Sequence, residues 1–190
     1  MTPLTNPLTN PVTIRSGDLP DLPALTEIYN HYVRTGNATF DIEPFSVESR
    51  RAWFDHYAPS GRHRLLVAES EDGVLLGYAT SSALRPKPAY DTSVETTIYC
   101  RPDAVGLGLG SRLYGALLAA LAGEDLHRAY AGVALPNDAS VALHRRLGFT
   151  PLGVYREVGR KFGRYWDVQW FELPLPVPLP PLEPTAQASP

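Results

Sequence analysis

The spacing of hydrophobic positions changes in the middle of the chain, from the compact run of a strand to the wider spacing of a helix. Residues 94–100 are rich in β-branched and aromatic types, which is typical of a β-strand. Leucines then recur every four residues from Leu113 to Leu121, which predicts a helix from residue 111 to about 122. A turn with alternating glycines, residues 106–110, joins the two.

The same patterns assign most of the chain to strands and helices. Further strands are predicted at 12–15, 64–70, 74–82, 128–135, 149–158 and 165–173. Further helices are predicted at 21–33, 47–57 and 138–147, the last two capped by Ser46 and Asp138. Antiparallel hairpins at both ends flank a strand–helix–strand crossover, so the predicted fold class is a mixed α/β sheet.

One domain is predicted over residues 12–173, because this stretch is long enough to bury a sizeable core. Residues 1–11 are rich in Thr, Asn and Pro and are expected to form a flexible leader. Residues 174–190 contain seven prolines, which predicts an extended or disordered tail rather than part of a sheet.

Composition narrows the possible environments and partners. The net charge is −3 and no dense basic run occurs, so nucleic acid is a poor candidate partner. A single cysteine, Cys100, cannot form an internal disulfide, which favours the cytoplasm. No apolar stretch reaches the roughly 20 residues of a membrane span, and the N-terminus does not resemble a signal peptide. The five histidines show no metal-ligand spacing on one helix, so no metal is expected.

The glycine turn is a candidate anion site. Backbone N–H groups at a helix N-terminus can point at one anion, and the helix dipole adds positive potential. We therefore expect a phosphate or pyrophosphate at Gly106–Ser111, unless the glycines only make a tight turn. A dinucleotide fingerprint and a P-loop are both disfavoured, because the glycine spacing differs from the first and Gly110-Ser111-Arg112 lacks the lysine of the second. With the carboxylate of Glu95 on the preceding strand, an enzyme that uses a phosphorylated cofactor is indicated.

Several short motifs then follow in a particular order. They are Ile28–Val33, Thr39-Phe40, Tyr90, Val94-Glu95, Ile98-Tyr99, Gly108–Ser111, Leu113-Tyr114, Leu135–Asp138 and His144. In this order they resemble the GNAT N-acetyltransferases, and more narrowly the phosphinothricin acetyltransferase branch, which also covers acetylation of methionine sulfoximine and sulfone. The resemblance covers about residues 12–173.

The resemblance implies acetyl-CoA as the donor, with its pantetheine arm in a sheet that splays between the fourth and fifth strands and is flanked by about four helices. The implied cofactor-binding residues are Thr97, Ile98, Tyr99, Val105, Gly106, Gly108, Leu109, Gly110, Ser111 and Asn137. In the family this turn usually carries a basic or glutamine side chain, whereas this chain has Val105 and Gly106 there, so weaker phosphate binding is expected. The family is typically homodimeric.

The family's chemistry needs a deprotonated amine and a proton for the departing thiolate. Glu95 resembles the family's general base, although a solvated strand glutamate is the simpler interpretation. His144 resembles the acid of the phosphinothricin branch, although a packing role remains open. Tyr99 is either an alternative proton donor or part of the core.

A small zwitterionic acceptor is the expected substrate. Arg85 is the best candidate to bind its carboxylate, with Lys87 as a weaker second, unless both are ordinary loop charges. By resemblance, Phe40 and Tyr90 would form an apolar wall, though both could be core residues. Two alternatives stay open: a non-catalytic acyl-CoA-binding regulator, and an acetyltransferase for a protein N-terminus or a polyamine.

Overall fold

A computed structural model describes residues 12–105 and 108–176 of the chain. The predicted leader at 1–11, the tail beyond residue 176 and the turn residue Gly106 lie outside the described residues.

Seven strands form one sheet in the order β1-β2-β3-β4-β5-β7-β6. Their bounds are Val12–Ser16 (β1), Leu65–Ser70 (β2), Leu75–Ala83 (β3), Ser93–Cys100 (β4), Arg128–Ala134 (β5), Thr150–Lys161 (β6) and Arg164–Pro174 (β7). Only the pair β4 and β5 is parallel, and all other neighbours are antiparallel. This confirms the predicted mixed α/β fold with a mostly antiparallel sheet.

Four α-helices flank the sheet in the described ranges, with bounds Leu22–Thr35 (α1), Arg51–Phe54 (α2), Leu109–Leu121 (α3) and Asp138–Arg146 (α4). Short 3₁₀ turns at Leu19–Asp21, Pro88–Tyr90 and Pro102–Ala104 lead into α1, β4 and the glycine turn.

The predicted helix at 47–57 was too long, because α2 contains only four residues. Ser46 does accept a hydrogen bond from the backbone N–H of Ser49 at 3.0 Å, as a capping residue would. However, the Ser49 hydroxyl donates back to the Ser46 carbonyl at 2.9 Å, and this kind of local bond competes with helical pairing.

The predicted cap of α4 was displaced by one residue. Asn137, not Asp138, is the N-cap, and its Oδ1 accepts a hydrogen bond from the backbone N–H of Ser140 at 3.1 Å. Asp138 is instead the first helical residue, where its negative charge still complements the helix dipole.

The last hairpin is longer than the predicted strands. β6 and β7 continue to a two-residue turn of Phe162 and Gly163, which both have positive φ, at 52° and 75°. This geometry matches the twist of a hairpin, but Phe-Gly lacks the usual Asn-Gly signature, so no turn signal marks that position in the sequence. β7 also extends to Pro174, and Leu175 is buried, so the sheet reaches into the segment expected to be tail.

Strands β4 and β5 separate after a short contact. Their pairing covers only Ser93–Glu95 on β4 and Arg128–Tyr130 on β5. β5 continues in register with β7 over its whole length, while β4 stays paired with β3. A wedge-shaped gap therefore opens between Thr96–Cys100 and the end of β5, as the splayed sheet predicted.

The sheet separates two hydrophobic cores. One contains Val94 of β4 together with Leu113 and Leu117 of α3, and we call this side the α3 face. The other contains Leu25 and Ile28 of α1, and we call this side the α1 face. Each fully buried leucine contributes about 1.5–3 kcal/mol, so both cores hold the strands rigidly on either side of the gap.

Candidate active site

A cavity of about 500 Å³ occupies the gap between β4 and β5. Its wall includes Thr97, Ile98 and Tyr99 of β4, Asn137 before α4, and the turn residues Val105, Gly108, Gly110 and Ser111. Eight of the ten residues predicted to bind the cofactor are thus brought together. Of the other two, Leu109 has its side chain in the core on the α3 face, and Gly106 lies outside the described residues.

The backbone at the start of α3 is shaped for an anion. Gly108 is the N-cap, with φ of 80°, and no side chain caps the helix. A left-handed N-cap is favourable for glycine, and the first N–H groups of a helix have no internal partner. A Cβ on Gly110 would meet Leu143 of α4 at 3.3 Å, so the two helices approach closely there. The free amides and the helix dipole therefore open onto the cavity.

The exposed edge of β4 offers a second kind of contact. Beyond Glu95, the backbone of β4 has no ladder partner on the β5 side. On the other side, the Thr97 hydroxyl hydrogen-bonds to that of Thr80 on β3 at 2.7 Å. An extended chain lying in the gap could pair with this edge as an added strand.

His144 is buried in the wall of the cavity, with 3% of its surface exposed. Its Nδ1 is 2.8 Å from the Ser140 carbonyl oxygen, which can only accept, so Nδ1 carries a proton. The ring packs among Tyr114, Phe149 and Phe171. Burial lowers the pKa of His144, partly opposed by the bond to Ser140, so the neutral ring predominates at neutral pH.

A hydrogen-bond chain runs from His144 into β4. The Nε2 atom is 3.2 Å from the Tyr114 hydroxyl, which is 2.6 Å from the Thr96 hydroxyl. Thr96 in turn lies 3.1 Å from the Tyr130 carbonyl oxygen. If His144 gains a proton on Nε2, that N–H can donate to the Tyr114 hydroxyl oxygen. The Tyr114 hydroxyl can then donate to Thr96, and the Thr96 hydroxyl to the Tyr130 carbonyl. Thr96 and Tyr114 carry no chemical signal in the sequence, because each looks like an ordinary core position.

Glu95 lies on the opposite side of the sheet from this chain. Side chains alternate along a strand, and Val94 and Thr96 contact the α3 face, so Glu95 is directed to the α1 face. Burial raises the pKa of Glu95, and the positive charge of Arg85 acts in the opposite direction. The side chain of Glu95 is therefore partly buried, which argues against the alternative that it is an ordinary solvated glutamate on a strand.

A second cavity, of about 230 Å³, lies on the α1 face. Tyr130, the β5 residue paired with Glu95, forms part of its wall. The other lining residues include Leu84, Arg85, Leu152, Tyr155 and Trp170. Glu95 is in the wall of neither cavity, but its neighbours Thr96 and Thr97 line the first and its β5 partner Tyr130 lines the second.

The remaining predicted acceptor residues are not in the wall of this cavity. Lys87 and Tyr90 are exposed around the 3₁₀ turn before β4. Phe40 lies against Gly159 of β6, where any Cβ would be only 2.5 Å from its ring. The aromatic residues in the wall of this cavity are Tyr130, Tyr155 and Trp170. Sequence order could not bring them together, because β7 lies between β5 and β6 in the sheet.

Within residues 12–105 and 108–176, no group of three or more His, Cys, Asp or Glu side chains is placed to hold a metal ion. None of the helices in these ranges is long and apolar enough to span a membrane.

Comparison with known proteins agrees with this architecture. Residues 25–149 match the acetyltransferase (GNAT) family. The phosphinothricin N-acetyltransferase of Streptomyces coelicolor is 59% identical over 170 residues, covering 89% of this chain and 99% of that protein. The L-methionine sulfoximine/L-methionine sulfone acetyltransferase of Pseudomonas paraeruginosa is 39% identical, covering 86% and 94%.

A solved structure is similar over nearly the same range. A GNAT superfamily phosphinothricin acetyltransferase from Sinorhizobium meliloti, in complex with acetyl-CoA, has a TM-score of 0.80 and 35% identity, covering 86% of this chain and 88% of that one. This chain therefore belongs to the acetyltransferase (GNAT) family.

Proposed function

We propose that this acetyltransferase moves the acetyl group of acetyl-CoA to the amine of a small amino-acid-like acceptor, of the phosphinothricin or methionine sulfoximine and sulfone type. The observation that carries this proposal is a pair of cavities whose walls contain the direct neighbours of Glu95, Thr96 and Thr97 in the first and Tyr130 in the second. The acceptors named for the relatives from S. coelicolor and P. paraeruginosa support the same class.

The first cavity is the proposed acetyl-CoA site. Its pantetheine arm would lie along the free edge of Thr97–Tyr99, beside Asn137, and its pyrophosphate would accept hydrogen bonds from amides around Gly108–Ser111. The acetyl-CoA complex of the S. meliloti relative supports this assignment. The backbone N–H groups of Gly106 and Leu109 are also proposed to donate hydrogen bonds to the pyrophosphate.

Glu95 is the proposed general base. The neutral amine of the acceptor attacks the thioester carbonyl, a C–N bond forms, the C–S bond breaks, and the nitrogen gives its proton to Glu95. A raised pKa makes a carboxylate a stronger base, which suits proton transfer from an amine.

The protonated form of His144, the minor form at neutral pH, is the proposed source of the proton for the departing thiolate, because the one N–H of the neutral ring is bonded to the Ser140 carbonyl. His144 lines the donor cavity, and its protonated form would have an acceptor for every donor along Tyr114, Thr96 and the Tyr130 carbonyl. Tyr99 also lines this cavity, but it packs against Tyr29, Tyr32 and Tyr78, and its raised pKa makes it a weak acid.

The second cavity is the proposed acceptor site. Its volume of about 230 Å³ is below the usual range for drug-sized ligands and suits a small amino acid better than a peptide. Arg85 is the proposed carboxylate-binding residue, because a guanidinium matches a carboxylate with two parallel hydrogen bonds. We keep the prediction that Lys87 assists in binding the acceptor carboxylate and that Phe40 and Tyr90 contact the acceptor, although none of the three lines the second cavity.

We also propose a homodimer that works in the cytoplasm. β6 is an edge strand, and Leu152, Val154, Tyr155 and Val158 on it are between 39% and 55% exposed. Apolar surface along an open edge is usually covered by a partner. The proposed location in the cytoplasm rests on a separate observation: Cys100 is a free thiol, which suits a reducing compartment. Sedimentation at micromolar concentration that shows only monomer would contradict the dimer.

The test of the function is a thiol-release assay with purified protein, acetyl-CoA and a panel of acceptors. The panel comprises phosphinothricin, methionine sulfoximine, methionine sulfone, a polyamine and a peptide with a free N-terminus. We expect turnover with the first three and little with the others. Binding of acetyl-CoA without any turnover would instead support the non-catalytic regulator.

A further inference from the structure

The proposed phosphate site lacks the basic side chain that this turn usually carries in the family. Val105 lines the cavity and is apolar, and it is 51% exposed. Backbone amides supply partial charges only, whereas a pyrophosphate carries full negative charge. A guanidinium or ammonium from elsewhere in the chain would therefore strengthen binding.

Two described arginines near the turn are already occupied. Arg101 forms a two-point ion pair with Asp103, with N–O distances of 3.0 and 2.7 Å. Arg112 donates to the backbone carbonyl of Val12 at 2.9 Å. Neither side chain lines the first cavity.

Arg146 is placed differently. Among the described residues that line the first cavity, it is the only lysine or arginine. Its Nη1 donates to the Ser111 hydroxyl at 3.3 Å, which places the guanidinium beside the first turn of α3. One long hydrogen bond to a hydroxyl leaves most of its five N–H donors available for another acceptor.

The packing of the two helices explains this position. Arg146 is the last residue of α4, and the Gly110–Leu143 contact brings α4 against the start of α3. The C-terminus of a helix is negative and would disfavour a nearby phosphate. A cation at this end neutralises that charge and adds hydrogen-bond donors to the amides of α3.

We propose that Arg146 binds the pyrophosphate of CoA and supplies the positive charge that the glycine turn lacks. This inference rests on the proposed function, since it takes the first cavity as the CoA site. The contact with Ser111 assigns the guanidinium to the pyrophosphate rather than to the more distant 3′-phosphate of the nucleotide.

The test is isothermal titration calorimetry with three ligands: CoA, dephospho-CoA, which lacks only the 3′-phosphate, and pantetheine, which lacks all phosphates. Arg146→Ala should weaken CoA and dephospho-CoA by the same factor, about 10- to 100-fold, as expected for charge-assisted bonds. Pantetheine affinity should not change. Arg146→Lys should recover part of the loss. The matched control is Arg145→Ala, which removes an exposed arginine from the same helix turn without altering the cavity wall.

Raising the salt concentration gives a second readout. The CoA affinity of the wild type should fall more steeply with salt than that of Arg146→Ala, because one charge pair is missing in the variant. Unchanged CoA affinity in Arg146→Ala would overturn the proposal, as would an equal loss for pantetheine. A loss for CoA but not for dephospho-CoA would also overturn it, because the 3′-phosphate would then be the partner. A wild type that binds none of these ligands would instead contradict the proposed function itself.

Discussion

Burial shifts the pKa values of two side chains near the donor cavity in opposite directions. It raises the pKa of Glu95 and lowers that of His144. The two residues lie on opposite faces of the sheet, and the gap between β4 and β5 connects those faces. Both shifts favour the uncharged form of the side chain, and perturbed pKa values of this kind are frequent at functional sites.

Replacing Glu95 by Gln keeps the shape of the side chain and removes its proton acceptor. We expect turnover at neutral pH to fall by roughly 10²- to 10⁴-fold, the usual size of general base catalysis. The deficit should shrink at high pH, where the acceptor amine loses its proton unaided. The test is the pH–rate profile of Glu95→Gln, compared with that of the control Glu71→Gln, which changes a glutamate in an exposed turn. Wild-type turnover of Glu95→Gln at pH 7 would exclude Glu95 as the base.

The same substitution should make the fold more stable at neutral pH. Because the folded state raises the pKa of Glu95 above its usual 4.5, the folded protein binds the proton more tightly than the unfolded chain. This contribution favours folding at low pH and is lost as the pH rises through the raised pKa. Above that pH the buried charge costs stability, and the neutral amide of the Glu95→Gln variant avoids this cost. Thermal unfolding should therefore show a higher Tm for Glu95→Gln at pH 7 and a smaller difference at pH 4; an unchanged or lower Tm at pH 7 would contradict the burial.

Replacing Arg85 by Ala tests acceptor recognition. We expect KM to rise far more for an amino acid acceptor than for the matching amine without a carboxylate. Acetyl-CoA affinity should stay the same, because Arg85 lines only the second cavity. Arg85→Lys should recover only part of the loss, since an ammonium cannot form the paired bonds of a guanidinium. The control is Arg145→Ala, which removes an exposed arginine that lines neither cavity. Equal penalties for the acid and the amine would show that Arg85 is an ordinary loop charge.

At the scale of the elements, the start of α3 forms the proposed phosphate site. Gly108 adopts a left-handed conformation that only glycine and, to a smaller extent, Asn and Asp tolerate well. Its ideal Cβ would have no atom within 4 Å, so a short side chain there points into open space. Charge rather than steric fit should therefore decide the effect of a substitution.

A matched pair of substitutions separates charge from shape at this position. Gly108→Asp places a carboxylate at the proposed phosphate site and should reduce CoA affinity by more than about tenfold. Gly108→Asn has nearly the same shape without the charge and should retain most of the affinity. Calorimetric titration with CoA measures both. Equal affinities for the two variants would show that no anion binds at this helix terminus.

The elements differ in how well they could be predicted from the sequence. The strand at 94–100, the glycine turn and α3 were predicted because period, composition and turn chemistry agree there. The helix at 47–57 was overestimated, since the Ser49 hydroxyl competes for the backbone. Arg50 is also buried among Tyr29 and Trp53, with ring distances of 4.3 and 3.8 Å, and such tertiary contacts leave no local signal.

For the whole molecule, the order of the strands builds the site. Pairing of β5 with β7 brings Trp170 beside Gly132, and β6 then adds Leu152 and Tyr155 to the wall of the second cavity. These partners are distant in sequence, so no local pattern could predict them. The residues that line the first cavity were easier to predict, because its glycine turn and strand are adjacent along the chain. Arg146 was not among those predicted, since its position beside Ser111 depends on how α4 packs against α3.

Donor and acceptor are proposed to occupy separate cavities whose walls contain the direct neighbours of Glu95. A crystal structure with CoA and phosphinothricin bound together tests this arrangement. We expect the CoA sulfur in the gap between β4 and β5, the acceptor amine within hydrogen-bond reach of Glu95, directly or through one water, and the acceptor carboxylate on Arg85. An acceptor bound away from Tyr130 and Trp170, or an amine out of reach of Glu95, would contradict the two-cavity arrangement.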